Sequence, residues 1–128
     1  MAITHTKQYV HEVGNNSISV QKSYSADQEI NSEISVPDST TDQQVVMGVD
    51  VSEIKSVFIV SDQAVTIETN SGSTPDDTFS MVANRPLDWD TDSPVATPFS
   101  ADITDLYITN ASGSAATVRV RIVLDATP

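Results

Sequence analysis

Three aspartates, Asp88, Asp90 and Asp92, occupy every second position around Trp89. In an extended strand all three project from one face. Like charges that close repel one another, so such a row calls for solvent, a cation or a basic partner. Calcium takes oxygen ligands of this kind. The pattern is not an EF-hand loop, however: Ser93 stands where that loop has its glycine, and Phe99 where it has its bidentate glutamate. The row therefore reads as a solvated acidic face or a seat for a basic neighbour, which the loop pair Asp76 and Asp77 could join. No metal is assigned; Asp88, Asp90 and Asp92 are the candidates a cation would use.

Other chemistry has thinner support. His5 and His11 lie six apart with no third ligand nearby, and the chain has no Cys, so they read as surface histidines. There is no G-x-S-x-G nucleophile elbow. Carboxylate pairs that cleave glycosides sit among aromatic platforms, and this chain has one Trp, three Tyr and three Phe. The same shortage argues against a sugar-binding groove. No enzyme and no cofactor are expected. Asn15-Asn16-Ser17 and Asn110-Ala111-Ser112 match the glycosylation sequon, but no secretory signal precedes them, so they read as chance.

The elements that must position these residues are announced by composition. The chain has 16 Val and 10 Ile against three Leu, with 17 Ser and 14 Thr between them. β-Branched side chains are stiff at χ1 and pack well on a pleated surface, so this mixture favours strands over helices. A length of 128 residues fits one domain with a core of its own. The absence of Cys excludes disulfides and thiolate zinc sites and fits a reducing cytoplasm. A net charge of −12 makes nucleic acid and anionic membranes poor partners and keeps the protein dispersed. No stretch approaches the length of an apolar membrane span.

Residues 1–15 read as an N-terminal arm or edge strand, with Ile3, His5, Lys7, Tyr9 and His11 on one mixed face and a turn at Gly14-Asn15-Asn16. Residues 16–128 read as a β-sandwich domain. Ile18, Val20 and Tyr24 alternate with polar residues, as do Ile30, Ile34 and Val36, then Val45, Met47 and Val49. Val57, Phe58, Ile59 and Val60 are apolar on both faces, which marks a central strand or an interface. Pro94 and Pro98 bracket an irregular piece. The last strand puts Val118, Val120, Ile122 and Leu124 on one side and Arg119 and Arg121 on the other. About nine short antiparallel strands with turns at 8 to 12 residue spacing predict a sandwich or jelly roll. Asp50-Val51-Ser52-Glu53-Ile54 also resembles Asp102-Ile103-Thr104-Asp105-Leu106, and the likeness continues to Ile67 and Val118. It reads as two equivalent hairpins, one in each half of a two-sheet fold.

The stretch Thr66 to Phe79, followed by Pro86-Leu87-Asp88-Trp89, and the closing segment Ile108 to Ala115 resemble small β-rich virion proteins of tailed bacteriophages. The resemblance covers roughly residues 45–125 and is one of texture. It implies a structural protein, most like a head decoration or cement protein. Such a protein is found on the capsid exterior, is assembled in the host cytoplasm and is associated as a homo-oligomer, usually a trimer. The major capsid protein or other virion proteins would be its partners. Ile3, Tyr9, Phe58, Arg119 and Arg121 are the expected interface residues, with the arm adding a strand to a neighbour's free sheet edge. Alternatives are a tail or neck subunit, or a calcium- or glycan-binding sandwich module.

Overall fold

The computed structural model describes residues 2–126. Met1 and residues 127 and 128, the ends of the expected arm and sandwich, lie outside the described residues. Ten strands make up the fold, with no α-helix among the described residues: β1 (Ile3–Val13), β2 (Asn16–Ala26), β3 (Gln28–Val36), β4 (Thr40–Val49), β5 (Ile54–Ser61), β6 (Val65–Thr69), β7 (Thr78–Met81), β8 (Leu87–Asp90), β9 (Ile103–Asn110) and β10 (Ala116–Leu124). Eight of them form an antiparallel β-sandwich. One sheet runs β3-β10-β5-β8, the other β4-β9-β6-β7. The all-β expectation holds, with ten strands where about nine were expected.

Alternation explains why these segments bury one face. In β10 the row Val118, Val120, Ile122 and Leu124 is buried and meets Val57 and Ile59 of β5. The facing sheet contributes Ile67 of β6 and Leu106 and Ile108 of β9. The register between β5 and β10 slips at Val123/Leu124, where Lys55 is passed over and Ile54 comes opposite Leu124. That bulge returns Ile54 to the core face. Phe99, from the irregular Pro94–Pro98 region, closes one end edge-on to Phe79 at 5.5 Å.

The strand order is nested: β3 lies beside β10, β4 beside β9, β5 beside β8 and β6 beside β7. This corrects the reading of the repeat. Neither copy is a hairpin, because β5 and β6 lie in different sheets, as do β9 and β10. Each copy is an arch from one sheet to the other. The arches pair with each other, β5 with β10 and β9 with β6, so the repeat supplies the central strands of both sheets. Exchanging β5 with β9 and β6 with β10 leaves this pattern unchanged. The lead-in aspartates also meet: the Asp102 carboxylate accepts from the Val51 N–H, beside Asp50, which caps the 3-10 turn at Val51–Glu53.

Residues 16–26 depart from expectation in a second way. They pair along their whole length with β1, from Ile3↔Ala26 to Val13↔Asn16, in a separate two-stranded ribbon. Gly14 opens its two-residue loop with φ +57, the conformation such a tight turn requires of its first residue. The apolar alternation of residues 18–24 belongs to a strand, as read, but the face it forms is not part of the sandwich.

Candidate functional site

The ribbon lies across the outer face of the β3-β10-β5-β8 sheet. Its two faces differ in chemistry. On the outward face Thr4 bonds Ser25 and Thr6 bonds Ser23 across the strands, at 2.7 and 2.9 Å. The inward face carries Ile3, His5, Lys7, Tyr9, His11 and Val13 of β1, opposite Ala26, Tyr24, Lys22, Val20, Ile18 and Asn16 of β2.

The contacts of β1 trace its path. His5 Nε2 lies 2.7 Å from Glu29 on β3. Two residues on, the Lys7 ammonium donates to the Val57 carbonyl of β5 at 3.3 Å and the Trp89 carbonyl of β8 at 3.0 Å. It also reaches Asp88 at 2.5 Å and Asp90 at 3.4 Å. Tyr9 then donates its hydroxyl to Asp88 at 2.5 Å. The ribbon thus crosses the sheet from one edge strand to the other. Beneath it Ser56 and Val123, which point away from the inter-sheet core, are buried. Tyr24 is buried against the same surface, with the Lys7 ammonium 5.5 Å from its ring centroid. Lys22 meets Asp92 at 3.3 Å, and Lys55 donates to the Ser25 carbonyl at 3.1 Å.

The aspartate row therefore has a basic partner within its own chain. Asp88 and Asp90 flank the Lys7 ammonium, and Asp92, beyond the end of β8, faces Lys22. Lys7 stands where a bound cation would compensate these carboxylates. No group of three or more His, Cys, Asp or Glu is arranged to hold a metal ion among the described residues. Asp76 and Asp77 do not join the row: their side chains accept from Asn70 and Ser100. Asn110 of the second sequon is buried, its amide donating to three carbonyls, so its nitrogen is closed to a glycan in the folded chain.

Four of the five residues expected at an interface come together. Ile3, Tyr9, Phe58 and Arg121 line one cleft of about 710 Å³ between the ribbon and the sheet face, with Pro86 and Asp88 at its far side. Arg119 lies one row further along β10, outside this cleft. It is exposed and 3.5 Å from Glu33, a surface pair worth about 0–1 kcal/mol. The wall made by β1 is a free sheet edge, since β1 pairs with β2 alone.

Past Tyr9 the ribbon leaves the sheet, and its inward face loses its cover. Val13 and Ile18 are 67% and 65% exposed, and Val20 is 52% exposed. Lys7 and Tyr24 were not singled out from the sequence. The usable signal was that an alternating acidic row needs a cation, and that Lys7 shares a face with Tyr9 in an otherwise apolar-polar ribbon.

Burial, followed by the neighbouring carboxylates, pushes both ribbon phenols well above the ordinary tyrosine value: Asp88 acts on Tyr9, Asp90 and then Asp92 on Tyr24. A raised folded-state pKa favours the protonated form. Its contribution is fully present below the unfolded value near 10 and is lost as pH climbs above it. Phenolate absorbance is expected to show two tyrosines that stay protonated past pH 10 and ionise together as the ribbon detaches. Tyr24→Phe should remove one of them. Independent titration of both at the ordinary value would contradict the packing described.

Comparison with protein families, with curated proteins and with solved structures finds no match to this chain.

Proposed function

We propose that this is a structural protein without catalytic activity, which decorates and stabilises a bacteriophage capsid through protein–protein contacts. The observation that carries this reading is the ribbon: a long two-stranded arm, anchored on a sandwich by a buried ion pair, whose inward face continues past the sandwich into solvent with Val13, Ile18 and Val20 exposed. Exposed apolar faces of this kind mark contact sites. The nested strand order supports a jelly-roll reading of the sandwich, an architecture found in capsid and lectin domains. The high negative charge suits a subunit that must stay dispersed before assembly. Major capsid protein or other virion proteins are the proposed partners, and the capsid exterior the proposed location. A homo-oligomer, a trimer by the resemblance noted above, is the proposed form.

The test is quantitative proteomics and electron microscopy of purified particles from the virus encoding the chain. Hundreds of copies on the head surface are expected. A chain missing from particles, or confined to a few copies at one vertex, would remove the decoration assignment.

A further inference from the structure

We infer that the projecting ribbon tip is a homotypic docking element, seated in the ribbon–sheet cleft of a second copy of this chain. The inference rests on the reading of ribbon and cleft as contact surfaces and names their occupant.

Three observations lead to a second copy. The first is continuity. The outer face of the β3-β10-β5-β8 sheet already receives the root of this ribbon face, which covers Ser56 and Val123. The next row of the same sheet, with Asn31, Arg121, Phe58 and Asp88, forms the uncovered cleft. The uncovered part of the ribbon face is the tip, with Val13, Ile18 and Val20. The surface left open is next to one that binds the ribbon, and the segment left open is the continuation of the one bound.

The second is charge. The ribbon carries Lys7 and Lys22 against the single acid Glu12, in a chain of net charge −12. Glu12 points to the outward face, so the inward face of the tip has no carboxylate. His11 lies on it, and Glu29 and Asp88 line the cleft. The tip, residues 8–20, has Glu12 as its one formal charge, and its inward face turns no carboxylate toward an acidic second copy.

The third is backbone. A two-residue loop makes Val13 and Asn16 a hydrogen-bonded pair, so odd-numbered residues of β1 bond to β2 and even-numbered ones turn outward. Thr4, Thr6 and Gln8 present those outward groups along the cleft. An extended guest can pair with that edge while its side chains reach Phe58. The four residues from Val10 to Val13 span about 13 Å, close to the roughly 14 Å between the outer strands of a four-stranded sheet. The cleft, along Ile3 to Tyr9, and the tip beyond it belong to one ribbon, so each copy is guest and host at once, and association closes into a ring where the rotation allows and otherwise runs on as an open chain.

The experiment uses the purified full-length chain alone, so its result is separate from whether the chain resides on a capsid. Light scattering coupled to chromatography is expected to show a concentration-dependent oligomer. A tip variant, Val13→Asp with Ile18→Asp, should weaken association about a hundredfold, roughly tenfold for each apolar group lost. At dilutions where the parent is monomeric its melting temperature should stay close to the parent's, since both side chains are exposed there. Asn31→Trp, which puts bulk into the cleft from an exposed position, should weaken association in the same way. Mixing the two variants should restore hetero-association, because one retains an open cleft and the other an intact tip. A parent chain that stays monomeric on concentration, or a tip variant that associates as the parent does, overturns the inference.

Discussion

Lys7→Ala is expected to release the ribbon from the sandwich while the sandwich stays folded. The Lys7 ammonium has four acceptors, two carbonyls and two carboxylates, and is 8% exposed. Removing it leaves Asp88 and Asp90 close together and partly desolvated, with nothing to offset their repulsion. Breaking a buried pair by deleting one partner costs about 3–5 kcal/mol. The loss falls on ribbon docking, because the ribbon belongs to neither sheet of the sandwich. Hydrogen exchange should report faster exchange in residues 3–26 and unchanged protection in β5 and β10. Proteolysis should begin in the ribbon. Adding Asp88→Asn and Asp90→Asn to Lys7→Met should recover much of the loss, since it removes the orphaned charges along with the cation. Uniform loss of protection through the whole chain would show that ribbon and sandwich unfold as one unit.

Asn110→Ala is the second large effect, on the order of 3 kcal/mol. Asn110 is fully buried where two corners of the sandwich meet. Its amide donates to the carbonyls of Val36, Pro37 and Ser114 at 3.0, 3.3 and 2.8 Å. Its carbonyl oxygen accepts from the Ser112 N–H at 3.1 Å. It therefore ties the β3–β4 corner to the β9–β10 corner. Truncation strands several buried backbone groups, each costing about 1–3 kcal/mol when left unsatisfied. Thermal unfolding should show a single transition at markedly lower temperature. Asn110→Asp should be no milder, because a carboxylate cannot donate to the three carbonyls. A shift within experimental error would mean that water replaces the amide without loss.

Alternation along the chain exposed most strands, and the reason is visible in β10. Val118, Val120, Ile122 and Leu124 face the inter-sheet core, while Arg119 and Arg121 face out, so burial on one side writes itself into the sequence at period 2. Alternation carries no information about which strand lies alongside. That is why β2 read as part of the sandwich: Ile18, Val20 and Tyr24 mark an apolar face but not its partner. The arches failed for the same reason. A short polar turn between two strands suits a hairpin, yet Ser61–Ala64 leads from one sheet to the other. The aspartate row was recognised as needing compensation, but its cation lies 81 residues away along the chain. Only the folded topology brings Lys7 to Asp88. Ile3, Tyr9, Phe58 and Arg121 were picked separately, from an arm and two strands, and their convergence on one cleft could not be read from spacing.

The nested order also dictates when the protein can be completed. β10 sits between β3 and β5 in its sheet, and it is the last of the ten strands in chain order. Until it emerges, β3 and β5 lack the neighbour that joins them, and the apolar faces of the earlier strands have no finished partner. The ribbon, whose strands are joined by two residues, can zip up as soon as it leaves the exit tunnel, whereas the sandwich must wait for β10. Topologies dominated by such distant pairings assemble slowly, in milliseconds to seconds. A nascent chain paused before residue 116 should therefore be held by chaperones with only its first hairpin formed.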